Sequence, residues 1–248
     1  TLNMGTQALI NVTANQFMVI GNPYPSRIDM RNISTTNLAN TFYLWDPAIS
    51  TLGGVNTFYY DVPSSSFKNL LASATYGAAG TNNNYIESGI AFLVSAGAIP
   101  GTLTFQENDK TTGSAVSNFT ANDPQALNVN LYMSPQNGNP ALLVDGMMVN
   151  FDSAYTNALD INDIKKLNSF GENVGLKTAN TVLAIERRFA VSNDDTLYIN
   201  MANMQQQNYQ WQLLMNNMDF PGRAAFLLDA YLQTSTVLDM AAATTIDF

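Results

Sequence analysis

The residues able to do chemistry in this chain are few, and what is missing narrows the choice most. The sequence holds no His and no Cys. Their absence excludes Ser–His–Asp and Cys–His catalysis, imidazole or thiolate zinc sites, and disulfides. A carboxylate pair of the glycosidase kind is the catalyst that remains. The only glutamates are Glu87, Glu107, Glu172 and Glu186. Glu87 opens an apolar run. Glu186 lies in "LAIERRF" beside Arg187 and Arg188, where it reads as a solvent-facing residue paired across a strand. The chain is therefore read as a non-enzyme.

Oxygen ligands offer a second kind of chemistry. Asp160, Asn162 and Asp163 bring three of them into one loop, with Asp152 nearby, and calcium is the cation such a set would take. The glycine and bidentate glutamate of an EF-hand loop are absent, and capping and turn formation account for the same residues. Asp194-Asp195 reads as a hairpin turn. Stacking on aromatic rings is a third kind. Tyr43, Trp45, Phe58, Tyr59 and Tyr60, with Tyr209 and Trp211, could form a platform for sugars, with Trp45 and Trp211 the sugar-binding candidates. Strand alternation turns about half of such rings into a core.

The elements that must position these residues are strands. "FMVIGNP", "TFYLWD", "NTFYYDV", "YIESGIAFLVSA" and "GTLTFQE" are short β-branched and aromatic runs bounded by Gly, Pro, Asn or Asp. A polar stretch, Asn108–Ala126, loses the aromatic density. A second set follows: "LNVNLYM", "PALLVDGMMVNF", "TVLAIERRFAV", "DTLYINM", "YQWQLLMNN", "RAAFLLDAYL" and "TTIDF". In "LNVNLYM", Leu127, Val129, Leu131 and Met133 face one way while Asn128 and Asn130 face the other. Two stretches carry helical signals: "PSSSFKNLLASA", with Ser64 or Ser65 as cap, and "LDINDIKKLNSF", with Asp160 as cap. The spacing predicts an all-β chain of two tandem antiparallel β-sandwiches, jelly-roll or Ig-like, over residues 1–120 and 121–248.

The knot Gly21–Pro25 ends the first long strand. Pro23 and Pro25 cannot donate to a ladder, and they hold Asn22 and Tyr24 extended. Gly21 is expected to take a backbone angle that other residues resist. Tyr24, fixed between the prolines, is expected to pack back as an aromatic plug. A phosphate loop would need more glycines, a Lys and a helix, so the knot is architecture.

Composition bounds the partners. Charged residues are 12% of the chain, against ~25% in ordinary globular proteins. The net charge is −9, and the ten basic residues are scattered. Nucleic acid and anionic membrane surfaces are therefore excluded as partners. No apolar run approaches the ~20 residues of a membrane-spanning helix, so no membrane insertion is expected. Lack of Cys suits an exported bacterial surface protein. The opening "TLNMGTQ" has no initiator Met, which suggests a fragment of a longer or processed protein.

"IGNPYPSRIDM", "TFYLWDPA", "YIESGIAFLVSA" and "GTLTFQENDK" together resemble a module common near the C-terminal ends of large secreted Bacteroidetes proteins. The matching positions are Gly21–Pro25, Tyr43–Pro47, Gly89–Val94 and Leu103–Phe105. The second half, through "LLVDGMMVNFDSAYTNALDINDIKKLNSFGENVGL", "LAIERRF" and "DTLYINM", resembles the domain that follows it. This resemblance implies export by type IX secretion, although the sorting domain itself is not present. It also implies O-glycosylation at Ser153 and Thr196, within Asp152-Ser153-Ala154 and Asp195-Thr196-Leu197. A return strand normally follows the "TTIDF"-like strand in that family. Its absence is read either as a boundary of the chain or as an edge open to strand addition. The resulting expectation is an extracellular structural or adhesive surface protein, a homopolymer assembled by strand addition. The alternative is a polysaccharide-binding module of a secreted hydrolase.

Overall fold

The structure is a computed structural model that describes residues 4–111, 125–134, 141–193, 195–218 and 220–248. It is all-β, as the strand pattern predicts. Among the described residues the one helical element is a short 3₁₀ turn, Glu107–Asp109. The chain divides into two compact units: residues 1–48 with 55–121, and residues 49–54 with 122–248.

The first unit contains β1 (Ile10–Val12), β2 (Phe17–Gly21), β3 (Ile28–Asp29), β4 (Ser34–Thr36) and β5 (Thr41–Asp46). Then come β6 (Gly54–Asp61), β7 (Ser66–Asn69), β8 (Tyr85–Ile86), β9 (Ala91–Ser95) and β10 (Gly101–Thr104). They form a five-stranded sheet in the order β2-β9-β5-β6-β7, a three-stranded sheet β1-β10-β4 and the pair β3-β8. Aromatic residues fill the core. Phe42 and Phe58 stack with centroids 4.8 Å apart, and Phe67 and Phe92 meet Phe42 edge-on. Tyr43, on the opposite face of β5, is also buried, packed edge-on against Phe17. The middle of β5 is thus covered on both faces.

Asparagine is an internal fastener here. Asn56 Nδ2 donates to Leu71 O and Asn56 Oδ1 accepts from Leu71 N, while Asn84 Oδ1 accepts from Phe67 N. Asn22, in the knot, donates through Nδ2 to the carbonyls of Ser26, Ile86 and Glu87, and its Oδ1 accepts the Tyr24 N–H. Tyr24 is buried against Phe105, donates to Gly5 O at 3.1 Å, and lies under the Lys110 ammonium. The plug therefore forms, but Gly21 is a correction: its φ is not positive, and nothing crowds the place of a Cβ. Asn22→Ala strands several carbonyls and one N–H. It is expected to cost about 2–3 kcal/mol in chemical denaturation, by the cost of unsatisfied buried polar groups. A loss well below ~1 kcal/mol would show that these bonds are dispensable.

The second unit contains β11 (Gln125–Met133), β12 (Leu142–Phe151), β13 (Ile164–Lys165), β14 (Asn173–Lys177) and β15 (Val182–Arg188). Next are β16 (Ile199–Ala202), β17 (Tyr209–Asn216), β18 (Ala225–Asp229), β19 (Thr234–Leu238) and β20 (Thr244–Asp247). The main sheet runs β16-β14-β15-β12-β11-β17-β20, with β13 paired to β15, and β18-β19 is a separate hairpin. The pairing is antiparallel except for β12 with β15, where Met148 lies opposite Ile185. The long connection holding β13 and β14 makes this parallel return feasible. Leu127, Val129 and Leu131 point into the core with Tyr209, Trp211, Leu213 and Met215 of β17. Beside this apolar core sits a buried ion pair, Lys166 Nζ to Asp145 Oδ1 at 2.5 Å.

Neither expected helix forms. In 63–74, Phe67 packs on the rings of Phe42 and Tyr60, so Ser66–Asn69 zips onto β6 instead. In 159–170, Ile164 is buried opposite Ile185, which draws the chain into the sheet as β13. The predicted hairpin around Asp194-Asp195 is also corrected. β14 lies between β15 and β16, so those strands are not neighbours, and Asp194 lies outside the described residues.

Candidate binding cleft and open edge of the second unit

Four segments of the second unit line a cleft of about 600 Å³. β15 supplies Glu186 and Arg188, two residues apart and hence on one side of the strand. The turn after β14 supplies Asn180, the loop after β12 supplies Asn157, Leu159 and Asp163, and the approach to β16 supplies Thr196 and Tyr198. Arg188 is held between two carboxylates, Glu186 at 3.5 Å and Asp195 at 3.1 Å. All three side chains are mostly buried. Burial pushes the Glu186 carboxyl above its usual range, and Arg188 pulls partly against that. Burial also raises Asp163, opposed by the N–H groups of Arg187 and Asp160. Tyr198 is 65% exposed at the cleft.

The calcium candidates hold their own loop. Asp160 Oδ1 accepts the Asn162 N–H at 2.7 Å, while Asp163 accepts from Asp160 N at 2.9 Å and from Arg187 N at 3.0 Å. Among the described residues no group of three or more acidic side chains is placed to hold a metal ion. Ser153 and Thr196 are both exposed, and Thr196 lies on the cleft wall. Asp152 accepts the Ala154 N–H, and Asp195 is taken up by Arg188 and the Ser192 N–H.

The two tryptophans part company. Trp45 is 43% exposed on β5. Trp211 is a correction to the sugar-binding expectation: only 6% exposed, it points into the core with Phe248 stacked on it at 5.6 Å. The clean alternation of "YQWQLLMN" put it there, with Gln210 and Gln212 on the other face. Glu172 is buried too, accepting from the Tyr209 hydroxyl at 2.8 Å and from Gln207.

A family model described as Domain of unknown function (DUF8693) matches residues 1–244. The chain belongs to this family. No curated protein and no solved structure matches it.

Two further surfaces stand out in this DUF8693 chain, and sequence reasoning missed one of them. β20 ends the main sheet, paired on one side with β17 and with no strand on the other among the described residues. Its sequence, "TTID", has neither Pro nor Lys to blunt that edge, and Asp247 is engaged by Gln210. The missed surface is the hairpin β18-β19. Ala225, Leu227 and Leu238 face the core, which leaves Phe226 and Val237 opposite each other on the outer face, with Leu228 beside them. Tyr231, at its turn, is 92% exposed. The alternation in "AFLLD" carried that signal: a strand apolar on both faces must either be covered twice or show one face.

Proposed function

We propose that the chain is a non-catalytic structural or adhesive module outside a bacterial cell, whose second unit joins further copies by strand addition at β20. The observation that carries this reading is the unblunted edge of β20. A row of outward N–H and C=O groups is a template for another strand. The apolar outer face of β18-β19 adds surface that gains by being covered, against the mutual repulsion of copies that each carry a net charge of −9. The likeness of Gly21–Pro25 and Tyr43–Pro47 to secreted Bacteroidetes modules supports the extracellular placement and the type IX route.

The test is association in the absence of any ligand. Sedimentation velocity over rising concentration should show a growing series of oligomers, and electron microscopy should show them joined end to end. A chain that stays monomeric at high concentration defeats this reading.

A polysaccharide-binding module of a secreted hydrolase is the second reading, and the exposed Trp45 ring favours it. The sugar titration described next bears on it directly.

A further inference from the structure

The cleft beside Arg188 has the size and lining of a small-molecule site. Its volume of about 600 Å³ lies within the ~300–1,000 Å³ typical of such sites. Its wall is amphipathic. Leu159, Leu197 and Tyr198 line it together with Asn157, Asn180 and Glu186. Some of the polar atoms on this wall are left over by the fold, while Glu186 is paired with Arg188. The Asn157 Oδ1 accepts from Phe189 N, but among the described residues its Nδ2, the Asn180 amide and the Thr196 hydroxyl make no hydrogen bond.

The charge pattern then selects the ligand. Asp163 and Glu186 line the cleft with Lys177 and Arg188, and Asp195 braces the guanidinium from the side. An anion would meet the carboxylates and a cation the two basic groups. A neutral polyol meets no such penalty, since its hydroxyls donate to carboxylates and accept from amide N–H groups. A flat ring with one apolar face also suits an exposed aromatic platform.

We propose that this cleft binds a neutral sugar, its ring laid on Tyr198 and its hydroxyls met by Asn157, Asn180 and Glu186. The site is separate from the β20 edge and does not depend on self-association. The two readings can fail independently.

The experiment is a titration of the whole isotope-labelled chain with neutral hexasaccharides of glucose, xylose, mannose and galactose, followed by NMR. At least one should give saturable shifts at Asn157, Asn180 and Thr196–Tyr198. Tyr198→Ala should weaken that affinity tenfold or more, and because the ring is largely exposed the fold should survive. Asn180→Ala, at a turn, gives an independent loss of threefold or more. The proposal is overturned if no hexasaccharide gives a saturable shift, or if both variants bind as the parent does. It is equally overturned if the shifts gather around Trp45, which moves sugar binding to the first unit, or if polygalacturonate binds better than every neutral sugar.

Discussion

Lys166→Met is expected to destabilise the second unit by about 3–5 kcal/mol at neutral pH, the usual cost of breaking a buried ion pair from one side. Lys166 Nζ touches Asp145 Oδ1 at 2.5 Å and donates to Gly146 O, while Asp145 Oδ2 accepts the Val174 N–H at 2.6 Å. Removing the ammonium leaves a buried carboxylate supported by backbone N–H groups alone. Burial already pushes the Asp145 carboxyl above its ordinary value, and Lys166 is the first of the groups pulling it back. In the variant the carboxyl rises further, so the folded form holds its proton where the unfolded form, near ~3.9, has lost it. Stability from that proton is present below the unfolded value and is lost as pH climbs through the folded one. The deficit should therefore be small in acid and grow toward neutrality. Denaturant titrations across that range measure it, and a deficit independent of pH would contradict the assignment. Asp145→Leu combined with Lys166→Met should recover only part of the loss, because no charge is then stranded but the buried Val174 N–H loses its acceptor.

Thr245→Pro is expected to abolish self-association while leaving the fold intact. Tyr209 and Phe248 exchange N–H···O bonds in both directions at 2.9 Å, so they form a hydrogen-bonded pair. Antiparallel alternation makes Trp211–Ile246 the next such pair and turns the N–H of Thr245 away from β17. Proline there removes an outward donor and no internal bond, which is how edge strands tolerate it. Ile246→Pro is the contrasting variant. It removes an inward bond to Trp211 and should loosen the edge itself. Sedimentation velocity of both variants separates the cases. If Thr245→Pro assembles like the parent, association runs through another surface, and the outer face of Phe226 and Val237 becomes the next place to substitute.

The strands were legible where alternation was clean. β11 and β17 show it best, since Leu127, Val129 and Leu131 on one and Tyr209, Trp211 and Leu213 on the other turn inward together. The same alternation should have kept Trp211 off the candidate platform. The helices expected at 63–74 and 159–170 failed because local capping signals are weak beside a buried side chain with an aromatic or aliphatic partner waiting for it. Phe67 and Ile164 decided those segments, and neither partner is local in sequence. The cleft was illegible for a related reason. Asp163, Glu186, Thr196 and Tyr198 each appear in the sequence as a turn residue, a strand charge or a short motif. What brings them together is the position of β15 between β14 and β12, which no local pattern encodes. Composition does not tell internal asparagines from surface ones: Asn22, Asn56, Asn69 and Asn84 are buried, because an amide can both donate and accept and so can fasten a loop without charge.

The strand order of the second unit also sets a timetable. β11, early in that unit, lies between β12 and β17, and β17 in turn holds β20. Half of the pairing of β11 must wait until residues 209–216 exist and can reach it. The first unit carries a similar debt, with Ile10 of β1 opposite Leu103 of β10, but all ten of its strands precede residue 105. Long loops must close before distant strands reward the closure, and in a chain made from its N-terminus the second unit closes its own last. In a chain that emerges N-terminus first, whether from a ribosome or through a membrane, the first unit can be complete while the apolar face of β11 still lacks its neighbour. During that interval the unpaired edge of β11 is open to any strand that reaches it.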